Sequence, residues 1–146
     1  MKRITTNRKD IEFQCEKVSY SEGLKIIQEL NTTCGFSVGI GGLAHNQIKG
    51  NKMVFVALLG KPQQWRGFIN PKIISKSEEI FMHEESCMSF PKKKNQKIKV
   101  PRHIWITIRH ETESGYLTEN FNWNDAFVIQ HEIDHLNGIH IVNKAK

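Results

Sequence analysis

The first strong helical periodicity begins at Ser19. In SYSEGLKIIQELNTTCG the apolar residues Leu24, Ile27 and Leu30 recur at helical spacing, Ser19 and Glu22 stand at capping-box separation, and Gly35 offers a stop. A glycine cluster follows, Gly35, Gly39, Gly41 and Gly42, running into LAHNQ and then into the apolar run MVFVALL, which reads as a strand. RGFINPKIIS and HIWITIRH continue the strand pattern, with Ile104, Ile106 and Ile108 sharing one face of the second segment. Gly115 separates that segment from YLTENF, which predicts a hairpin without fixing its turn type.

The last periodic segment is DAFVIQHEIDHLN, with Asn122 or Asn124 as its cap and Gly138 as its stop, a second helix. The remaining IHIVNKAK is too short for another substantial element. Strands between two helices predict an α+β fold, with antiparallel or mixed sheets around the C-terminal helix. No linker, repeat or low-complexity tract interrupts the pattern, so residues 1–146 are expected to form a single domain.

Composition narrows the setting. The opening MKRITTNRKDIEFQ lacks the apolar core of a signal peptide, and the run from Met53 to Leu59 is too short to span a bilayer, so no membrane partner is expected. Three widely spaced cysteines, Cys15, Cys34 and Cys87, suit a reducing, cytoplasmic compartment better than a disulfide framework. Much of the net charge of +6 lies in Lys92, Lys93, Lys94, Lys97, Lys99 and Arg102. This stretch has the charge to touch RNA phosphates or an acidic surface. No aromatic stacking pattern or nucleic-acid motif accompanies it, so the favoured reading is a solvated loop or edge strand, with no specific nucleic acid as partner.

The chemistry is in the second helix. His131 and His135 lie one turn apart on one face, so their imidazoles converge on one ion, and Glu132 flanks them within reach of a metal-bound water. A catalytic divalent metal ordinarily takes three protein ligands, so another is needed. The downstream protease patterns fail: Gly138 is in place, but Ile141 stands where a histidine is required, His140 is one residue short, and no acid follows Asp134. Upstream, Cys87 within Glu85-Ser86-Cys87-Met88-Ser89 offers a thiolate, which binds borderline and softer divalent metals well. Alone it reads as a buried, inert thiol; beside H-E-x-x-H it reads as the third ligand. Cys15 and Cys34 have no surrounding motif and are read as ordinary thiols.

Three segments together resemble the peptide deformylase family. Gln130-His131-Glu132-Ile133-Asp134-His135-Leu136-Asn137-Gly138 matches its motif Q-H-E-φ-D-H-L-x-G at every fixed position. Glu85-Ser86-Cys87-Met88-Ser89 resembles E-G-C-L-S, and Ile40-Gly41-Gly42-Leu43-Ala44-His45-Asn46-Gln47 resembles G-φ-G-φ-A-A-x-Q, with FINP at Phe68 to Pro71 preceding the former. The departures are His45 and Ser86 in place of small residues, Met88 for leucine, and an exchange of glycine and apolar residue at Ile40 and Gly41. They bear on substrate preference more than on metal binding.

The resemblance implies removal of the formyl group from the N-terminal formyl-methionine of nascent polypeptides, with release of formate. Cys87, His131 and His135 would hold one divalent ion, Fe(II) first, with zinc, nickel or cobalt as alternatives for the same ligands. Glu132 would carry the proton. The side-chain amide of Gln47 and the backbone N–H of Met88 would receive the oxyanion. Gly42, Leu43, Glu85 and Ser86 would line the peptide, and Phe127 and Val128 would wall the methionine pocket or serve as core. Asp134 would support the fold or orient an imidazole. Ribosome docking through an additional C-terminal helix is not expected, since the chain stops near where that helix begins in bacterial members. Two rivals stand beside this reading: a related hydrolase with an altered acyl or amide substrate, and a non-catalytic binder of peptide or RNA.

Overall fold

Apolar residues at successive positions from Met53 predict burial on both faces, and the computed structural model, which describes residues 3–35, 41–87, 89 and 97–144, places that run at the centre of the molecule. In chain order the strands are β1 (Gly42–Ala44), β2 (Val54–Leu59), β3 (Gln64–Lys76), β4 (Ile80–Glu85), β5 (Ile98–His103), β6 (Trp105–Thr112) and β7 (Gly115–Asn122). The helices are α1 (Tyr20–Gly35), α2 (Trp123–Leu136) and the short α3 (Ile141–Lys144). β1, β2, β3, β6 and β7 form one antiparallel sheet in that order, and β4 and β5 form a separate pair.

Strand alternation divides the core. Val54 and Val56 face α1, where they join Ile26, Leu30, Leu43 and Ile69, whereas Phe55, Ala57 and Leu59 join Phe68, Ile106, Ile108, Ile129, Ile133 and Leu136 under α2. The large sheet is thus filled from both sides, which is why β2 reads as continuously apolar. Within β3 the register slips between Ile69 and Lys72, where Pro71 has no N–H to give. Asn70, at φ 50°, pins this irregularity by accepting from the Val18 N–H at 3.0 Å and donating to the Val18 carbonyl at 2.8 Å.

Several expectations meet corrections here. Ser19 does cap α1, its Oγ accepting the Glu22 N–H at 3.3 Å. The packed face, however, is Gly23, Ile26, Leu30, Thr33 and Cys34, and Leu24 is 44% exposed. HIWITIRH is not one strand: Ile104 lies between β5 and β6, and the inward face of β6 carries Ile106, Ile108 and His110. Asn122 occupies the cap position of α2, yet its side chain makes no capping bond. Gly138 does follow the helix, at φ 77°, where a Cβ would lie 2.8 Å from the Phe13 backbone nitrogen.

The basic stretch is split. Lys92, Lys93 and Lys94 lie outside the described residues, while Lys97 and Lys99 are exposed. Arg102 is fully buried, so the reading of it as solvated cationic surface is wrong. Its partners, Glu85 and Asp134, come from distant parts of the chain.

Candidate metal centre

α2 brings His131 and His135 onto one face, and the segment leaving β4 brings Cys87 against them. The Cys87 Sγ is 3.3 Å from the His135 Nε2, the two Nε2 atoms are 3.2 Å apart, and all three donor atoms fall within 4.8 Å of one another. A tetrahedral ion with bonds of about 2.0–2.3 Å separates its donors by roughly 3.3–3.7 Å, so the two shorter gaps are close to what an ion requires. The donor set, one thiolate and two imidazoles, suits a borderline divalent metal. Among the described residues the buried Nδ1 of His135 has no hydrogen-bond partner.

The carboxylate of Glu85 orients the site. It accepts from His131 Nδ1 at 2.7 Å, which fixes the tautomer and turns Nε2 toward the cysteine and the other histidine. It also accepts two bonds of 2.7 Å from Arg102 and lies 2.9 Å from His83 Nδ1. Burial pushes the Glu85 carboxyl up, but these donors outweigh it and hold the group well below the usual carboxylate range. Arg102 in turn bonds Asp134. Asp134 therefore braces an imidazole at two removes, through Arg102 and Glu85, and also pairs with Lys144 at 3.2 Å. For His135, burial first and then the charge of His131 lower the pKa well below the ordinary value, favouring the neutral ring that a metal needs.

Glu132 is buried and faces a cavity of about 260 Å³ lined by Gly42, Gln47, Glu85, Ser86, Cys87, Phe127, Val128 and His131, among others. Burial pushes its carboxyl up to about 7, and among the described residues its Oε1 has no hydrogen-bond partner. At Gly42 a Cβ would lie 2.6 Å from the Glu132 Oε2, so a side chain there would displace that carboxylate. Gln47 is held from both ends of its amide. Its Oε1 accepts the Ala44 N–H at 3.0 Å, and its Nε2 donates to Ser89 Oγ at 3.0 Å while lying 3.7 Å from Cys87 Sγ.

The remaining sequence candidates fall into three groups. Phe127, Val128 and Ser86 line the cavity. Leu43 does not: its side chain is fully buried in the core cluster beneath α1, because alternation along β1 sends it to the opposite face of the sheet. Met88 lies outside the described residues, as does Ile40. His45 points away from the cavity, accepting the Lys52 N–H at 3.1 Å on its Nδ1 and approaching Glu29 of α1, so its departure from the family pattern does not alter the cavity wall.

Sequence reasoning missed four participants. His83 lines the cavity and packs on Phe127 with ring centroids 4.6 Å apart. Ser89 holds the Gln47 amide, and Asn46 donates to the His135 carbonyl at 2.6 Å. Gln130 bonds both the N–H and the carbonyl of His103, at 2.9 and 2.8 Å, fastening β5 to α2. Gln130 and Ser89 carried a visible signal, as the residue opening the histidine motif and the one closing the cysteine motif.

Comparison with known proteins places this geometry. The polypeptide deformylase family model matches residues 1–146. Peptide deformylase of Pseudothermotoga lettingae is 41% identical over 117 residues, covering 80% of this chain and 64% of that protein. The peptide deformylase of a Bradyrhizobium species (strain BTAi1) is 36% identical over 132 residues, covering 85% of this chain and 73% of the other. The crystal structure of peptide deformylase from Thermotoga maritima superimposes with a TM-score of 0.88 at 28% identity, covering 100% of this chain and 98% of that one. A probable peptide deformylase from the Synechococcus phage S-SSM7 gives 0.86 at 30% identity, covering 99% of each chain.

Proposed function

The chain belongs to the polypeptide deformylase family, and on that premise we propose that it hydrolyses the formyl–amide bond of N-terminal formyl-methionine on newly made polypeptides. The observation that carries this reading is the convergence of Cys87, His131 and His135 at a cavity whose wall also holds the raised carboxyl of Glu132. Cys87, His131 and His135 would hold a divalent ion, Fe(II) by family likeness, which when bound polarises the formyl oxygen and acidifies a water.

The chain's own groups supply the rest. Glu132 accepts the proton of the attacking water as the water oxygen adds to the formyl carbon. The second N–H of the Gln47 amide, which points toward Cys87 Sγ at 3.7 Å while the first is committed to Ser89, would turn to the developing oxyanion and donate to it. The backbone N–H of Met88 would be its partner donor. As the C–N bond breaks, Glu132 returns the proton to the departing nitrogen, leaving formate and a free amino terminus. The substrate main chain runs beside Gly42 and the backbone of Glu85 and Ser86, with the methionine side chain against Phe127, Val128 and His83. No helix among the described residues is long and apolar enough to cross a membrane, and three buried free cysteines fit the cytoplasmic setting.

The test is formate release from a formyl-Met tripeptide by protein loaded anaerobically with Fe(II), or with nickel, beside Cys87→Ala and Glu132→Gln. Release by the parent and a loss of at least about 100-fold in each variant is the expected result. A filled metal site without formate release would overturn the formyl-methionine assignment.

A further inference from the structure

A second cavity, of about 350 Å³, lies where the end of α2 meets the slipped part of β3 and its neighbours β6 and β7. None of its lining residues borders the cavity beside Glu132. Its charged members are all cations, Lys17, Lys72 and Arg109. Lys72 and Arg109 stand directly opposite each other across β3 and β6, a like-charged cross-strand pair that works against the sheet. Among the described residues no carboxylate lies within 4.0 Å of any of the three charges. The acids beside them along the chain, Glu16 and Glu111, are engaged by Lys52 and by the Asn70 amide.

The walls suit an anion that carries a ring. Met53, Pro71 and Ile133 are apolar and buried or half-buried. The Arg109 guanidinium lies 4.8 Å from the centroid of the Tyr116 ring, and that residue stays 54% exposed. An arginine laid over an aromatic face keeps its edge N–H groups for the two-pronged fork that matches a phosphate. Asn137 accepts the Gln14 N–H at 3.0 Å on its Oδ1, which leaves its own NH2 as a donor at the same cavity. The carbonyls ending α2, whose partial charge would repel an anion, accept the N–H groups of Asn137, Gly138 and Ile139. The volume falls at the lower end of small-molecule sites, roughly 300–1,000 Å³.

We propose that this cavity is a second ligand site that takes a nucleotide, its phosphates between Lys17, Lys72 and Arg109 and its base against Tyr116 and the apolar wall. The three cations gather at one cavity instead of forming a track along the surface, which favours a single small nucleotide over a strand of RNA. α2 contributes Ile133 and Asn137, which helical spacing sets on a different stripe from His131 and His135. A nucleotide here therefore lies behind the candidate metal ligands and does not compete with a formyl peptide.

The test is calorimetric titration of the metal-loaded protein at low salt with ADP, adenosine, inorganic pyrophosphate and a short oligouridylate, repeated in Lys72→Gln, Arg109→Gln and Tyr116→Ser. ADP is expected to bind at least about tenfold more tightly than adenosine or pyrophosphate, and each variant to weaken it by about 5- to 20-fold. ADP phosphates also ligate divalent ions, so Cys87→Ala separates the two sites, and its affinity for ADP is expected to equal the parent's. No binding of ADP by the parent at about 1 mM, affinity undiminished in all three variants, or loss of binding in a folded Cys87→Ala would overturn the site. Pyrophosphate bound as tightly as ADP would overturn the nucleotide assignment. Oligouridylate bound more tightly than ADP, and lost in the same variants, would put single-stranded RNA in its place. The readout is binding alone, so its failure leaves the deformylase reading untouched.

Discussion

Beside the candidate metal ligands, Glu85 is gripped by Arg102 and His131; on the large sheet, Glu119 is gripped in the same pattern by Arg66 and His110. Each arginine makes two bonds to its carboxylate, and each histidine shares one of that carboxylate's oxygens. The surroundings differ. The Arg102 and Glu85 side chains are 0% and 5% exposed, whereas those of Arg66 and Glu119 are 37% and 25% exposed. Water therefore competes for the sheet cluster and screens it, while the buried cluster has no substitute for any lost partner. The same residue types make a rigid ligand support in one place and a modest strand-to-strand tie in the other.

The sharpest test of this contrast is Arg102→Met. It leaves the Glu85 carboxylate buried without its main donor, and a loss of about 3–5 kcal/mol in urea unfolding is expected, together with reduced metal content by elemental analysis. Asp134→Asn takes one charge from the same network, and about 1–2 kcal/mol should be lost in the same assay. Arg66→Met removes the exposed counterpart and should cost only about 0.5–1 kcal/mol, even with the Arg66 guanidinium lying 5.0 Å from the Phe68 ring, while metal content stays at the parent level. If Arg66→Met proves as damaging as Arg102→Met, burial is not what separates the clusters.

Acid and salt sharpen the same comparison at smaller amplitude. Hydrogen bonding by Arg66 outweighs partial burial and holds the Glu119 carboxyl below its usual range of about 4.5. A depressed carboxyl contributes stability that is present above its unfolded value and is lost as pH falls through the folded one. The stability difference between the parent and Arg66→Met should thus be constant above pH 4.5 and shrink below it, as followed by urea midpoints across an acid series. Raising ionic strength to about 1 M, where the screening length is near 3 Å, should shrink the Arg66 difference and leave the Arg102 difference largely in place.

The helix-borne half of the site was legible because its ligands are neighbours in sequence and its period is regular. His131, Glu132 and His135 occupy adjacent turns between recognisable ends, and Cys87 could be found by asking what a third ligand must be. β4 was not legible. Its inward face carries Phe81, His83 and Glu85, a mixed set that looks like core only when Trp123, Phe127 and His131 are placed opposite. Arg102 was hidden for a related reason: it follows a run of lysines, and the acids that neutralise it lie 17 and 32 residues away. Leu24 shows the reverse error, an apolar residue at helical spacing that stays exposed because α1 packs through Gly23 and Ile26.

The double hydrogen bond between Gln130 and the His103 main chain bears on how the protein breathes. A helix side chain here plays the part of a neighbouring strand, so β5 cannot detach without breaking bonds to α2. Arg102 with Asp134, and Glu85 with His131, tie the same two elements together. The pair of strands and the helix therefore open as one cooperative unit, and the His103 amide should exchange its hydrogen at the same slow rate as the amides of α2. Escape of an ion held by Cys87, His131 and His135 would then wait on that shared opening event, which would make the metal's residence time a kinetic property of the fold as well as a matter of ligand affinity.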